Sequence, residues 1–208
     1  MPIAIVDYGA GNLRSVQKAL HSFGIESILT KNSSEIVASS GVILPGVGAF
    51  DAAISELRKN NLEMAIGEAI ALQKPFLGIC LGYQMLFDES EEGKLKGLSI
   101  LKGKVRKFNF EKSSFEKLSI PHMGWNNLKM EHKSELFSGT PSSSMVYFAH
   151  SYYCDPEDKL IISTTTDYGI SFASSVSKGN IFGIQFHPEK SGEVGLKILE
   201  NFGKLCLK

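Results

Sequence analysis

A cysteine flanked by glycines is the feature of this sequence best suited to covalent chemistry. Cys80 lies between Gly78 and Gly82, after an apolar run that predicts a strand and before a run that predicts a helix. A sharp turn from strand to helix presents its side chain at the sheet edge, and glycines two residues away let the backbone crowd around it. The pattern predicts a nucleophilic cysteine. A buried core cysteine at a strand end is the alternative.

A base for that cysteine is offered near the C-terminus. Alternating apolar residues at 181–186 predict a strand that ends at His187, and Pro188 stops it. Glu189, two residues beyond the histidine, could orient the imidazole and stabilise its charge, as an acid does in Ser-His-Asp sites. His-Pro-Glu alone is more typical of a turn. Together with Cys80 it predicts a Cys-His-Glu triad.

Five segments of the chain together resemble one known family. Gly-Ile-Cys80-Leu-Gly-Tyr-Gln84 and His187-Pro-Glu189 resemble the signatures of class I, triad-type glutamine amidotransferases. The segments at 44–50 and 121–126 resemble, more narrowly, the glutaminase subunit of imidazole glycerol phosphate synthase. The segment at 7–12 and His150-Ser-Tyr152 add to this resemblance, which covers essentially the whole chain.

The resemblance implies an enzyme that hydrolyses glutamine to glutamate and ammonia through a cysteinyl thioester. The ammonia would pass to a (β/α)8 cyclase subunit in a heterodimer, which forms imidazole glycerol phosphate and AICAR in histidine biosynthesis. No metal and no organic cofactor is expected. Two alternatives stay open: a paralogous glutaminase that supplies a surface-polysaccharide sugar amidotransferase, and a non-catalytic regulatory subunit on the same fold.

Attack of Cys80 on a carboxamide needs hydrogen-bond donors already aimed at the developing oxyanion. Backbone amides can serve, and the first amide of the predicted helix after the cysteine belongs to Leu81. The glycine-rich loop at 45–48 follows a strand and could supply a second amide, from Val47 or Gly48. A tight turn that binds no ligand is the alternative. In the family this loop is the oxyanion strand, and its Val47 peptide is our candidate for a partner-driven switch.

Gln84 lies four residues after Cys80 and falls on the same face of the predicted helix. The alternatives are a solvated helix face for Gln84 and an ordinary acidic loop at 89–92. His150 is interpreted as an interior histidine that hydrogen-bonds to backbone. The resemblance implies a substrate-binding set, in which the glutamate suits an α-ammonium group: Gly46, Gln84, Glu92, Ser151 and Tyr152.

The segment at 121–126 has no evident part in hydrolysis, and it holds Met123 and the chain's only tryptophan, Trp125, among turn residues. Tryptophan and methionine are enriched where a surface meets a partner, and core packing of the tryptophan is the alternative. In the family this segment faces the cyclase and borders the ammonia exit, and Asn12 and Lys190 match positions at that interface. The segment at 7–12 superficially resembles the start of a dinucleotide-binding loop, which needs a third glycine at position 14. Arg14 stands there instead, so nucleotide binding at this segment is rejected.

Length and composition favour a single domain spanning 1–208. The 208 residues are 43% hydrophobic, enough for a sizeable core. Lysine plus arginine equals aspartate plus glutamate, 22 each, so no global field favours nucleic acid or an anionic membrane. Three cysteines without metal-type spacing indicate reduced thiols. With no basic leader and no long apolar run, a cytoplasmic location is expected.

The elements that must position these residues follow from apolar periodicity. Strands and helices alternate up to about residue 97, which predicts a parallel, doubly wound arrangement. Later segments are richer in strands and end in an amphipathic helix with Ser191 as its N-cap. The predicted fold class is α/β, with antiparallel strands added in the second half. The resemblance implies a flavodoxin-like, amidotransferase-type fold, in which a mixed and mostly parallel sheet is flanked by helices. The predicted strands are 3–7, 25–29, 42–44, 76–79, 98–110, 145–154, 160–165, 170–175 and 181–186, and the predicted helices are 13–23, 34–38, 51–58, 62–72 and 191–205, with polar loops at 111–117 and 138–144.

Overall fold

The first half of the chain alternates strands and helices, as predicted. The computed structural model describes residues 1–110 and 118–208. Asn32 accepts a hydrogen bond from the amide of Ser34 (2.9 Å) and so caps the second helix. The elements are β1 (Ile3–Val6), α1 (Leu13–His21), β2 (Ser27–Thr30), α2 (Ser33–Ala38), β3 (Val42–Gly46), α3 (Phe50–Lys59), α4 (Leu62–Ala71), β4 (Phe76–Cys80) and α5 (Leu81–Gln84).

The second half is mainly strands and closes with one long helix. Single 3-10 turns at Glu135–Phe137, Lys159–Ile161 and Pro188–Lys190 connect some of these elements. The elements are β5 (Glu89–Ser90), β6 (Gly103–Lys107), β7 (His122–Asn127), β8 (Lys129–Met130), β9 (Met145–His150), β10 (Tyr152–Pro156), β11 (Ile162–Asp167), β12 (Ser171–Lys178), β13 (Ile181–Ile184) and α6 (Gly192–Leu205).

One mixed sheet carries most of these strands in the order β2-β1-β3-β4-β13-β12-β10-β6-β5. The strands β2, β1, β3, β4 and β13 are parallel, and β12 and β10 continue the sheet antiparallel. A second, two-stranded sheet pairs β7 with β9. The predicted fold class is confirmed. Because β3, β4 and β13 run in the same direction, their carboxyl ends meet at one sheet edge, where α/β sheets usually bind ligands.

The parallel strands β1, β3 and β4 are buried on both faces, as expected when helices cover both sides of a sheet. In β1, Ile3 and Ile5 pack towards α1 and α6, while Ala4 and Val6 pack towards α2, α3 and α4. Burying one such aliphatic side chain contributes about 1.5–3 kcal/mol. The two apolar layers therefore hold rigid the strand ends that carry the site.

Several local expectations need correction. The long predicted strand at 98–110 is only β6, Gly103–Lys107. The segment with Trp125, whose residues predict a turn, is strand β7. Ser191 precedes α6, but its hydroxyl makes no capping bond; it donates to the carbonyl of His187 (2.6 Å). The predicted loop at 111–117 lies outside the described residues. Within residues 1–110 and 118–208, no helix is long and apolar enough to cross a membrane.

Candidate active site

Cys80 lies where the central strand β4 turns into α5. Its backbone has φ +55° and ψ −108°, which costs a non-glycine residue on the order of 1–3 kcal/mol. A Cβ on Gly78 would lie 2.7 Å from the carbonyl oxygen of Gly82, and one on Gly82 would overlap the carbonyl oxygen of Leu44. The predicted glycine-dependent turn is confirmed.

His187 and Glu189 lie beside this turn, at the carboxyl end of β13. The imidazole Nδ1 is 3.0 Å from the Glu189 Oε1, and the two side chains are 4% and 2% exposed. The amide of His187 donates to the carbonyl of Tyr147 (2.9 Å), so the backbone that carries the imidazole is held as well. A carboxylate oxygen can only accept, so Nδ1 carries a proton and Nε2 is left to face Cys80.

The environment favours a protonated His187. Burial acts to lower the pKa of His187, but hydrogen bonds and charge from Cys80 and Glu189 outweigh it and raise the pKa to about 10. The other oxygen of Glu189, Oε2, is buried without a hydrogen-bond partner among the described residues. The carboxylate is therefore committed to the imidazole, and the geometry suits an imidazolium next to the sulfur of Cys80.

Gln185 is a site residue that the sequence analysis missed. Its Nε2 donates to the sulfur of Cys80 (3.7 Å), and its Oε1 accepts from Nε2 of Gln84 (3.2 Å). Gln84 also donates to the carbonyl of Tyr152 (3.0 Å). The available signal was spacing: Gln185 and His187 are two residues apart on an extended segment, so both side chains leave it on one side.

A cavity of about 210 Å³ opens over Cys80. It is smaller than the ~300–1,000 Å³ typical of drug-sized ligands and suits a small metabolite. It brings together most of the predicted oxyanion and substrate residues, whereas Gly46 pairs with Cys80 across the β3–β4 ladder and does not line it. The lining residues are Val47, Gly48, Cys80, Leu81, Gln84, Glu92, Pro121, Met123, Ala149, His150, Ser151 and Tyr152.

Glu92 reaches this cavity from the loop after β5. Its carboxylate accepts a hydrogen bond from the amide of Phe50 (3.1 Å), at the first turn of α3. Burial raises the pKa of Glu92, the Phe50 amide lowers it, and the nearby charge of Asp51 raises it further. Asp51 in turn accepts from the amides of Lys94 and Leu95 (2.9 and 3.0 Å), which fixes the loop. Glu92 is thus a held carboxylate that can still accept from a cation.

A chain of buried polar groups supports the cavity wall at His150. Its Nδ1 lies 2.7 Å from the carbonyl of Tyr152, and its Nε2 lies 3.0 Å from Nδ1 of His122. Asn126 Nδ2 is 3.2 Å from the far nitrogen of His122. Burial lowers the pKa of both imidazoles, so both rings are neutral near pH 7. Since the carbonyl only accepts, His150 donates from Nδ1 and its Nε2 accepts from Nδ1 of His122. Burial lowers the pKa of His150 to about 3. The interpretation of His150 as an interior, backbone-bonded histidine is confirmed.

Three of the four residues predicted at a partner surface lie on the outward face of the β7–β9 sheet or beside it: Met123, Trp125 and Lys190. Met123 and Trp125 are 64% and 52% exposed, so core packing of Trp125 is ruled out. The indole packs against Tyr147 (6.2 Å between ring centroids), and the Lys190 ammonium lies 5.8 Å from the same tyrosine ring. Asn12 immediately precedes α1, is half-buried, and does not line the cavity.

The other two cysteines lack the surroundings of Cys80. Burial raises the pKa of Cys154 well above its usual value and that of Cys206 to about 12, so both are thiols near neutral pH. Within the described part of the chain, no group of three or more histidine, cysteine, aspartate or glutamate side chains is arranged to hold a metal ion.

Comparison with known proteins decides the family. A model of the family "Glutamine amidotransferase class-I" matches residues 4–205. The chain belongs to this family. Solved structures agree on the fold: a glutamine amidotransferase superposes with a TM-score of 0.76 at 17% identity and full coverage of both chains. The PurLQS structure from Thermotoga maritima gives 0.71 at 19% identity, covering 97% of each chain.

Much closer sequences carry one name, imidazole glycerol phosphate synthase subunit HisH. The protein of that name from Bacillus cereus (strain B4264) is 50% identical over 201 residues, 96% of this chain and 93% of the relative. The Moorella thermoacetica protein is 48% identical, covering 98% of this chain and 95% of the relative. The Nostoc punctiforme protein is 49% identical, covering 96% and 94%. This amidotransferase therefore resembles synthase subunits over nearly its whole length.

Proposed function

We propose that this chain is the glutaminase subunit of an imidazole glycerol phosphate synthase and that Cys80, His187 and Glu189 are its catalytic residues. The carrying observation is that two segments distant in the sequence bring the strained Cys80, which lines the cavity, beside an imidazole that is hydrogen-bonded to a buried carboxylate. Identity of about 50% to synthase subunits over nearly the whole chain supports the assignment.

In the proposed reaction the sulfur of Cys80 attacks the side-chain carboxamide carbon of glutamine. The C–N bond breaks as His187 gives its proton to the departing ammonia, which leaves a γ-glutamyl thioester. His187, now neutral, takes a proton from water, and the hydroxide attacks the thioester and releases glutamate and the thiolate. Glu189 holds Nδ1 throughout, so that Nε2 always faces the reacting atoms.

Both tetrahedral intermediates place negative charge on the former carbonyl oxygen. We assign its stabilisation to the backbone amides of Leu81 and of Val47 or Gly48, all of which line the cavity. Gly48 has φ +98°, a conformation open to glycine, and Val47 is 44% exposed. A peptide with such freedom can turn its N–H towards the cavity or away from it.

The amino-acid end of glutamine is assigned to the other side of the cavity. Gln84 already donates hydrogen bonds to Tyr152 and Gln185, so what it offers a substrate is its oxygen. That oxygen and the carboxylate of Glu92 suit an α-ammonium group. Ser151 and Tyr152 also line the cavity, and we assign the α-carboxylate to them.

The outward face of the β7–β9 sheet is proposed to bind the cyclase subunit. Strand pairing places Trp125 opposite Tyr147 and Met123 opposite Ala149 on this face, and Met123 also lines the cavity. The apolar surface is therefore continuous with the mouth of the site. A partner seated there would shield ammonia from bulk water, in which it would be protonated.

Covalent labelling tests the nucleophile. A glutamine analogue with an electrophilic carbon should add its mass to the peptide that contains Cys80, and Cys80→Ser should abolish both labelling and glutamine hydrolysis without loss of fold. Cys154→Ser is the matched control and should keep both. Labelling of Cys154 in the wild-type protein would overturn the assignment.

Turnover in three states tests the partner and the oxyanion loop. kcat for glutamine should be low for the isolated chain and rise with the cyclase and again with a nucleotide ligand of the cyclase. Completing the oxyanion hole by one donor is worth roughly 10²- to 10³-fold in rate. Equal kcat in all three states would reject the switch and leave the loop at 45–48 as a fixed oxyanion strand.

A further inference from the structure

Gln185 occupies a position that packing alone does not explain. Gln185 is fully buried, and its backbone N–H donates to the carbonyl of Ser174 (2.9 Å), which holds this backbone in register with β12. The next residue, Phe186, packs into the core against Phe148, on the other side of the segment. Gln185 therefore turns a polar amide towards Cys80 at a place where an aliphatic side chain would be cheaper to bury.

The orientation of this amide follows from its neighbours. The carbonyl of Tyr152 can only accept, so it takes a hydrogen bond from the NH2 group of Gln84. The same NH2 group faces Gln185, which must present its oxygen. The NH2 group of Gln185 is then left to face the sulfur of Cys80. The sulfur of Cys80 thus contacts the NH2 group of Gln185, and this amide cannot present its oxygen to the sulfur without breaking the hydrogen bonds to Gln84 and Tyr152.

We propose that Gln185 is a further catalytic residue: its amide donates a hydrogen bond to the sulfur of Cys80 and favours the thiolate over uncharged sulfur. The inference rests on the proposed glutaminase function. A donor binds S⁻ more strongly than a thiol or a thioester sulfur, so it favours the reactive state before attack and the departing thiolate when the thioester is hydrolysed. Gln185 itself exchanges no proton. Proton transfer stays with His187.

The same bond gives Gln185 a second effect, on substrate position. Through Gln84 it connects the nucleophile to the carbonyl of Tyr152, on the cavity wall assigned to the amino-acid end of glutamine. Reacting sulfur and binding wall are therefore held at a fixed separation by two amide side chains.

The test is the pH profile of Cys80 alkylation by iodoacetamide, followed by the mass of the Cys80 peptide in the isolated chain. Gln185→Met keeps the volume and removes the donor; Gln185→Glu keeps the shape and places a carboxylate against the sulfur. The pH of half-maximal rate should rise by about one unit in the methionine variant, a roughly ten-fold loss of thiolate at lower pH. It should rise further in the glutamate variant. With the cyclase present, kcat for glutamine should fall about ten-fold or more.

Asn201→Leu is the matched control. Asn201 is another buried amide, bonded to the carbonyls of Leu136 and Ser138 away from the cavity, so its loss should lower stability and leave the Cys80 profile unchanged. If Gln185→Met does not fold, Gln185→Glu, which keeps the side-chain shape, carries the test. An unshifted profile with unchanged kcat in the folded variants would overturn the role of Gln185. Absence of glutamine turnover in the wild-type complex would instead overturn the proposed function, while the alkylation shift would still decide on Gln185.

Discussion

Replacement of Glu189 by glutamine is the sharpest perturbation of the proposed triad, because it changes one charge and almost no volume. In the wild-type protein the carboxylate lies 3.0 Å from Nδ1 of His187, and its second oxygen is buried without a partner among the described residues. The variant amide must then bury its NH2 group without an acceptor or turn that group towards Nδ1. In the second case Nδ1 must accept, and the proton moves to Nε2, the wrong nitrogen for a base facing Cys80.

The magnitude follows from the charge. A hydrogen bond to a charged group is worth about 1.5–3 kcal/mol, which corresponds to about one to two pKa units and to roughly 10- to 150-fold in rate. The pKa of His187, about 10 with Glu189 and Cys80 beside it, should fall by that amount. Burying an unpaired NH2 group should also lower the free energy of unfolding by about 1–3 kcal/mol.

The assay is steady-state hydrolysis of glutamine by the complex with the cyclase, from pH 6 to pH 10. The alkaline limb that reports His187 should move to lower pH, because the imidazolium is less stable in the variant. The free energy of unfolding should change in the same direction. Because the pKa of His187 is raised in the folded state, its contribution to stability is fully present below about pH 6.5 and is lost as the pH rises through the pKa of the folded state. Urea unfolding at pH 7 and pH 9.5 measures this, and the difference between the two should shrink in Glu189→Gln.

Glu193→Gln removes the same charge from an exposed position in the first turn of α6 and serves as the control. It should leave the pH profile and kcat unchanged. If Glu189→Gln kept kcat within two-fold and left the alkaline limb in place, Glu189 would not be the residue that orients His187, and the proposed triad would reduce to a Cys-His pair.

Three further predictions concern folding, pH and the partner surface. Gly82→Ala should destabilise the chain by about 3 kcal/mol or more, because the new Cβ would collide with backbone. Gly67→Ala on α4 has open space around its new Cβ and should stabilise the chain by about 0.5–1 kcal/mol. Urea unfolding compares the two variants. Because burial lowers the pKa of His150 to about 3, the unfolded chain binds a proton below about pH 6.5 at a histidine that stays neutral in the folded chain. The free energy of unfolding should therefore fall by about 2 kcal/mol between pH 7 and pH 5. In His150→Gln this fall should be smaller. Trp125→Ala should weaken binding to the cyclase by about 1–3 kcal/mol in titration calorimetry without lowering the melting temperature of the isolated chain. Leu160 is 80% exposed and lies outside the β7–β9 sheet, so Leu160→Ala should bind as the wild-type chain does. Equal affinities of Trp125→Ala and the wild-type chain for the cyclase would exclude Trp125 from the interface.

The turn from β4 into α5 at Cys80 could be predicted from the sequence, because it depends on the glycines beside it. A Cβ on Gly78 would collide with the backbone of Gly82, only four residues along the chain, whereas a Cβ on Gly82 would collide with Leu44 on the neighbouring strand β3. The alternation of apolar runs with helical patterns likewise predicts the parallel strands β1, β3 and β4, because burial on both faces requires it. Apart from the contact between Gly82 and Leu44, these features depend on residues close in sequence or on a single hydrophobic period.

Strand β7 and the position of Trp125 were decided by long-range pairing. Strand β7 forms only because β9 pairs with it, and that register sets which side chains face outwards: Trp125 lies opposite Tyr147 on the exposed face, while His122 lies opposite His150 inside. A glycine-containing segment such as 121–126 carries too little periodicity of its own to reveal this. Exposure of the tryptophan is therefore a property of the sheet.

The three residues of the proposed triad could be named from the sequence alone, because their residue types and flanking glycine and proline are local signals. Their convergence, and the presence of Gln185 beside them, were decided by the tertiary structure. Strand β13 pairs in parallel with β4, so the segment after β13 comes to lie against Cys80, more than one hundred residues earlier in the chain. Hydrogen bonds between groups so far apart in sequence depend on strand order and register, which only the packing of the whole sheet sets.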